Sequence, residues 1–406
     1  MYEMLGDLRV IEAASFVAGP SCGLHLAQLG AEVIRIDQIG GGPDFGRWPV
    51  APDGHSLYWE GLNKGKKSVA VDLSNPEGRE LMVRLATAPG ASSGIFLTNY
   101  PERGFLAHDR LVAHRADLIT ARVMGWNDGT PAVDYTINCA VGVPYMTGPE
   151  GGDEPVNHVV PAWDLLTGAL ASTAVLAAVH RRRLCGIGGE IRLPLSDVAI
   201  ATLANLGQIG EVEASGHDRP AYGNALYGAF GCDFTTADGK RIMVVAITPR
   251  QWTGLIKALD IAADIGGLEA SLGTDFRDEG ARFSHRHALN PIVAAAIARR
   301  RSDDLFDAFA GNNVCWGKYH GLRAAIAEEP RLVRENPVFS DVSHPSGMRY
   351  PAPGFPASLP AADRLPAARA PFLGEHTEEV LAELLGCSGG EIAALHDRGI
   401  VASANA

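Results

Sequence analysis

Asp164, in the run PAWDLLTG, stands at the head of the clearest helix pattern in the chain. The pattern begins after VVP, stays apolar through its body from Pro161 to Arg183, and ends in HRRR, cations that suit the negative end of a helix dipole. An aspartate in that place commonly satisfies free backbone N–H groups as an N-cap or first-turn acid. The same geometry keeps a carboxylate ionised and fixed, which suits a nucleophile. Trp163 before it and an apolar helix after it describe a pocket that excludes water.

Cations that could meet such a site are few. Lys64, Lys66 and Lys67 lie in NKGKKSV, Arg47 in DFGRW and Arg103 in YPERGF. Each reads either as a solvated turn or packing residue, or as a partner for the phosphates of a nucleotide-like ligand. His25 and His376 fall within or beside helix patterns and read as packing residues. No HExxH run or His/Asp cluster suggests a metal, and no nucleophile triad can be assembled from spacing. A dinucleotide site is disfavoured. Asp37 ends a strand where an acid could grip a ribose, but the preceding turn is AGPSCG rather than GxGxxG, and Pro20 lacks the N–H a pyrophosphate would use.

The bulk composition narrows the classes. The 406 residues carry a net charge of -12, which argues against nonspecific nucleic-acid binding. Six dispersed cysteines without a CxxC pair suggest reduced thiols in the cytoplasm rather than a zinc site or disulfide framework. The N-terminus lacks the basic flank and apolar core of a signal peptide. The most apolar stretch, Leu165 to Val179, is short for a bilayer span and reads as a buried helix of a soluble protein.

The elements that would position these residues alternate. RVIEA, EVIRID, KKSVAVDL, SGIFLTNY and LITARVMGW read as strands; LHLAQLG, closed by Gly30, and NPEGRELMVRLA read as helices. FVAGPSCG reads as a turn and GEIRLPL as a return strand. This β–α–β order favours an α/β fold with a parallel sheet. The character changes near Ala221, where GCDFTTADGKRIMVVAI predicts a hairpin around Asp238-Gly239, followed by helices from about Pro249 to Arg334. Pro351 to Arg369 reads as an extended connector, and GEHTEEVLAELLG and SGGEIAALHDRG as amphipathic helices.

Four blocks in this order resemble the class III CoA-transferase family (CaiB/BaiF type): LRVIEAASFVAGPSCGLHLAQLGAEVIRID, NKGKKSVAVDL with IFLTNY, DLLTGALASTAVLAAVHRRRLCGIGGEI, and APFLGEHTEEVLAELLG. The resemblance covers nearly the whole chain. It implies a Rossmann-like large domain with a smaller inserted α+β domain, in an interlocked homodimer. On that basis residues 1–220 are the N-terminal part of the large domain, 221–335 the small domain, and 336–406 a connector and C-terminal helices returning to the large domain. The family's catalytic aspartate, in a D-x-x-T-G setting, falls on Asp164. Its CoA contacts fall on Phe16, Val17, Ala18, Lys66, Asn99, Tyr100 and, more loosely, Arg103. Arg47 is a candidate contact to substrate or phosphate, and Gly223 and Asn224 lie where a glycine-containing loop shields an intermediate. The implied substrate is an acyl-CoA, with no metal and no cofactor beyond coenzyme A itself, no nucleic-acid partner and no membrane.

Two departures matter. Gln38 stands where the family often carries Arg, so that CoA contact is not expected. Val133 replaces the His of the racemase branch, and a valine exchanges no proton. GNALYGAFGCDFTTADGKRIMVVAITPRQW resembles the mesaconyl-CoA C1–C4 transferase branch, in which CoA moves between the two carboxyls of one diacid. An intermolecular acyl-CoA:carboxylate transferase is the alternative.

Overall fold

In the computed structural model, which describes residues 1–404, strands β1 (Arg9–Ala13), β2 (Glu32–Asp37), β3 (Lys67–Val71), β4 (Ile95–Thr98), β5 (Ile119–Met124) and β6 (Gly189–Pro194) run parallel in one sheet. β7 (Phe230–Thr235), β8 (Arg241–Ala246) and β9 (Cys315–Lys318) form a separate antiparallel sheet, and β10 (Phe339–Ser343) pairs with β11 (Arg349–Pro353). β12 (Val401–Ala402) joins the first sheet antiparallel to β3, giving the order β12-β3-β2-β1-β4-β5-β6.

Successive residues of β1 bury opposite faces, as the pleat requires. Val10 joins a core with Val33, Leu97 and Ala121 under the helices Ala18–Gln28 and Ala162–Cys185. Ile11 joins the opposite core with Ile34, Val69 and Phe96, under the helices Pro76–Ala86, Thr377–Leu385 and Gly389–Asp397. Both faces are covered, which is why the strands read as near-continuous apolar runs.

Two compact units emerge. The first comprises residues 1–141, 158–215 and 330–406; the second comprises 142–157 and 216–329. The segment 142–157 therefore lies outside the large domain expected over 1–220: the Gly223 N–H donates to the Gly148 carbonyl at 3.0 Å, and Arg286 pairs with Glu150. The second unit also holds β9, a strand too short for its alternation to be read among the helices expected there.

Three readings need correction. AGPSCG is no turn but the opening of the helix Ala18–Gln28. Pro20 is its third residue, where the missing N–H belongs to a group unpaired in any helix. The helix Ala162–Cys185 forms where the pattern Pro161 to Arg183 placed it, but 33% of its most apolar window is buried, where a buried helix was expected. With a mean hydropathy of 1.5 it is long and apolar enough to cross a membrane by length and composition, yet one side packs on the sheet and on the helix Ala18–Gln28. Gly168 permits that approach: a Cβ there would fall 1.9 Å from Ser21 Oγ.

Lys66 is the third correction. Its side chain is fully buried, and its ammonium donates to both carboxylate oxygens of Glu12, to Asn63 Oδ1 and to the Pro20 carbonyl, all within 2.9 Å. Arg35, equally buried, bonds Asp37 at 2.7 Å, Asn63 Oδ1 at 3.2 Å and both oxygens of Asp44 at 3.0 and 3.1 Å. Burial pushes the Glu12 carboxyl up and the Lys66 amine down, while their mutual attraction opposes both shifts. Gly23 keeps the space open, since a Cβ there would overlap Glu12 Oε2. With every donor engaged inside the fold, Lys66 is a strut between β1, β3 and the first helix. Removing one partner of a buried ion pair costs about 3–5 kcal/mol, because the other charge stays buried and unpaired. Lys66→Met is therefore expected to lower the urea unfolding midpoint by a corresponding amount; an unchanged midpoint would refute the strut.

Candidate active site

Strand order reverses at β1, whose neighbours are β2 on one side and β4 on the other. In open α/β sheets the crevice beyond the carboxyl ends of such strands is where ligands bind. A cleft of about 500 Å³ lies there, walled by Ser15–Ala18 after β1, Asn99–Arg103 after β4, Gly129–Val133 after β5, and Asp164. The structure thus brings Phe16, Val17, Ala18, Asn99, Tyr100, Arg103 and Asp164 into one cleft.

Local bonds hold the rim. Asn99 accepts the Ser15 N–H at 3.3 Å and donates to the Ser15 carbonyl at 3.1 Å, clamping the two loops together. Phe16 adopts a left-handed conformation with φ of 70°, uncommon for a bulky residue. Its N–H donates to Asp44 Oδ2 at 3.1 Å, so the carboxylate that grips Arg35 also fixes this turn. Arg122 lines the cleft but spends its guanidinium on Glu190 and on the carbonyls of Tyr100, Pro101 and Leu106. Arg47 stacks 5.7 Å from the Phe16 ring and 5.4 Å from the Tyr58 ring. Lys66 does not line the cleft. Gly223 and Asn224 belong to the second compact unit, where Asn224 Nδ2 donates to Asp233 at 3.0 Å, and they are absent from this wall.

Asp164 occupies the first turn of its helix but does not cap it. Among the described residues no hydrogen bond reaches its carboxylate. The cap comes from Asp134, which is buried: its Oδ2 accepts the N–H groups of Trp163 at 2.7 Å and of Asp164 itself at 3.0 Å. Its Oδ1 meets His158 Nε2 at 2.5 Å, and Trp163 Nε1 donates to Asn138 at 3.0 Å. The backbone of Asp164 is thereby locked while its carboxylate carries no hydrogen bond among the described residues.

The charge state differs from the sequence expectation. Burial, reinforced by the Asp134 carboxylate and opposed by Arg47, pushes the Asp164 carboxyl up to about 7. A helix N-terminus alone would hold it down; here the first-turn N–H groups already belong to Asp134, so desolvation wins. Burial likewise raises the Tyr58 phenol to about 12, with Asp164 and Asp44 adding to the shift. Asp134, His158 and Tyr58 gave no usable sequence signal, since Asp134 meets partners 24 to 30 residues away. Among the described residues no group of His, Cys, Asp and Glu forms a metal site.

The sign of the resulting stability effect follows from linkage. The folded state holds the Asp164 proton more tightly than the unfolded chain does, so stability falls as pH rises from about 4 through about 7. Asp164→Asn removes that loss. Its thermal midpoint is expected to exceed that of the wild type by a few degrees at pH 8 and to converge with it near pH 4; a constant difference would contradict the raised carboxyl.

Comparison with known proteins identifies the family. A family model described as CoA-transferase family III matches residues 5–377. The chain is 47% identical over 403 residues to a 2-methylfumaryl-CoA isomerase of Chloroflexus aurantiacus, covering 99% of this chain and 98% of the relative. It is 27% identical to a succinyl-CoA:mesaconate CoA-transferase of Haloarcula hispanica, over 93% and 96% of the two chains. The crystal structure of a CAIB/BAIF family protein from Brucella suis superposes with a TM-score of 0.76 at 26% identity, covering 95% of this chain and all of the other. An unbonded aspartate at the strand-order reversal of a parallel sheet, inside a match that spans most of the sequence, leads to one conclusion: this chain belongs to CoA-transferase family III.

Proposed function

We propose that the protein moves coenzyme A from C1 to C4 of mesaconyl-CoA, acting as a 2-methylfumaryl-CoA isomerase with Asp164 as nucleophile. The observation that carries this reading is the unbonded Asp164 carboxylate in a cleft built from the backbone of Phe16–Ala18 and Asn99–Tyr100. The 47% identity to the Chloroflexus aurantiacus enzyme supports the substrate. Val133, which lines the same cleft where a racemase would carry its histidine, speaks against proton exchange at the α-carbon.

The chemistry balances without an outside reagent. A carboxylate oxygen of Asp164 attacks the thioester carbonyl, the C–S bond breaks, and CoA leaves as thiolate from a mixed anhydride. The thiolate attacks the aspartyl carbonyl, releasing the diacid carboxylate and leaving an enzyme–CoA thioester. The diacid's other carboxylate attacks that thioester, regenerating an anhydride and thiolate. Attack of the thiolate on the C4 acyl carbon then restores Asp164. Each intermediate keeps the acyl activation of the original thioester. Phe16, Val17, Ala18, Asn99, Tyr100 and Arg103 hold the CoA arm in this reading, and no cofactor is needed beyond the CoA of the substrate.

The family's interlocked homodimer, with the smaller unit inserted in the larger, fits the apolar side chains Leu165, Leu170, Leu206, Ile209 and Val212, which stand exposed along the helix Ala162–Cys185 and the segment after it. Large exposed apolar patches mark association surfaces. We assign the protein to the cytoplasm on its reduced, dispersed cysteines.

Presenting C1-labelled mesaconyl-CoA without added acid tests the function: NMR should show the thioester moving to the other carboxyl carbon. A requirement for added acceptor acid would favour the intermolecular alternative, and α-hydrogen exchange in D2O on a saturated 2-methylacyl-CoA, which unlike mesaconyl-CoA carries such a hydrogen, would favour racemisation. Asp164→Asn should lower kcat by at least ~1000-fold, as loss of a nucleophile generally does. The wild-type kcat/KM should fall as pH drops below about 7, where Asp164 takes up its proton. Asp134→Asn removes the neighbouring negative charge and should move that fall to lower pH; a profile with no group titrating near 7 would contradict Asp164 as the attacking base form.

A further inference from the structure

We propose that Arg47 is the anchor for the free carboxylate of the substrate, selecting a dicarboxylic acyl thioester over a monocarboxylic one. The inference rests on the reading of Asp164 as the acylated nucleophile. Each anhydride of that reaction leaves one carboxylate of the diacid charged, and the diacid released at the enzyme–CoA stage carries two, so the site needs a cation that is not already spent.

The available cations sort themselves. Lys66 and Arg35 are consumed by Glu12, Asp37 and Asp44. Arg122 is consumed by Glu190 and three carbonyls. Arg103, on the cleft wall, is assigned to the CoA arm; that leaves Arg47, which among the described residues has no carboxylate within ion-pair reach. Its guanidinium lies against the rings of Phe16 and Tyr58 at 5.7 and 5.4 Å. Phe16 is itself a wall of the cleft that holds Asp164. The charge of Arg47 also reaches Asp164, where it opposes the upward shift of the carboxyl.

The loop bearing Arg47 is held in place from both sides. The Arg47 N–H donates to the Asp44 carbonyl at 3.2 Å, and its own carbonyl accepts Ser56 Oγ at 2.5 Å. Asp44 is in turn fixed by Arg35 and by the Phe16 N–H. Arg47 lies against two aromatic rings and also bonds the Tyr58 side chain, which orients it; the N–H groups left over match a carboxylate. A cation held behind the Phe16 rim of that cleft would keep the released diacid near it while CoA rests on Asp164. It thereby favours return to the same molecule over exchange with an external acid.

The test compares two thioesters that differ at one group: mesaconyl-CoA and 2-methylbut-2-enoyl-CoA, in which a methyl replaces the free carboxylate. Acylation of Asp164 is trapped with hydroxylamine and followed by peptide mass analysis, giving a second-order rate for each thioester. The wild type should prefer the diacid thioester by ~100-fold or more, as sites that pair a substrate charge do. In Arg47→Gln the preference should collapse to within a few fold, and Arg47→Lys should fall between, with thermal midpoints matched to the wild type. An unchanged preference in Arg47→Gln overturns the proposal, whether both rates fall together or both persist. Failure of mesaconyl-CoA to label wild-type Asp164 would overturn the transferase reading itself, an outcome independent of residue 47.

Discussion

Two cations and three carboxylates share a space from which water is excluded, and the cleft is built outward from them. Glu12 lies on β1, Arg35 and Asp37 on β2, Lys66 just before β3, and Asp44 in the loop beyond β2. An unmatched charge in such a place is expensive, so each partner fixes the others to within hydrogen-bond tolerance. The rigidity then passes to the rim: Asp44 holds the Phe16 backbone in its left-handed turn, and the same loop presents Arg47. Structural charges and reactive charges are thus separate populations in one small region.

Asp164 obeys the opposite rule. It sits where a helix would ordinarily stabilise its negative charge, yet Asp134 takes the first-turn N–H groups and leaves the Asp164 carboxylate with desolvation. A carboxylate without hydrogen bonds is more basic and less encumbered than a capped one, and it can approach an acyl carbon without first losing partners. Its cost to the fold is the strain of function that proteins accept at reactive sites.

Much of this was legible in the residues. Periodicity located the first six strands, because each is an apolar run bounded by turn residues, and the Asp238-Gly239 hairpin pairs Phe230 with Ala246 as its pattern implies. Asp164 stood out because it heads the longest helix, and family resemblance singled it out from other first-turn acids; what the structure adds is its place on the cleft wall. What escaped was long-range. Lys66 looks in sequence like any lysine of a Gly-rich loop, and only the fold brings Glu12 to it from 54 residues away. Asp134 is invisible for the same reason. The strand Cys315–Lys318 escaped because four residues carry too little alternation to separate them from the helices around them.

The sheet is finished by a strand drawn from far along the chain. Val401 lies opposite Val71, so the flank of β3 finds its partner across more than three hundred residues. Until that segment docks, a row of backbone donors and acceptors on a flat apolar strand faces outward, the situation that invites pairing with another chain. Closure of the edge is a slow, non-local event. A polypeptide shortened before Val401 would be expected to keep its reactive cleft, at the opposite side of β1, while acquiring an adhesive border: self-association in such a chain would precede any loss of chemistry.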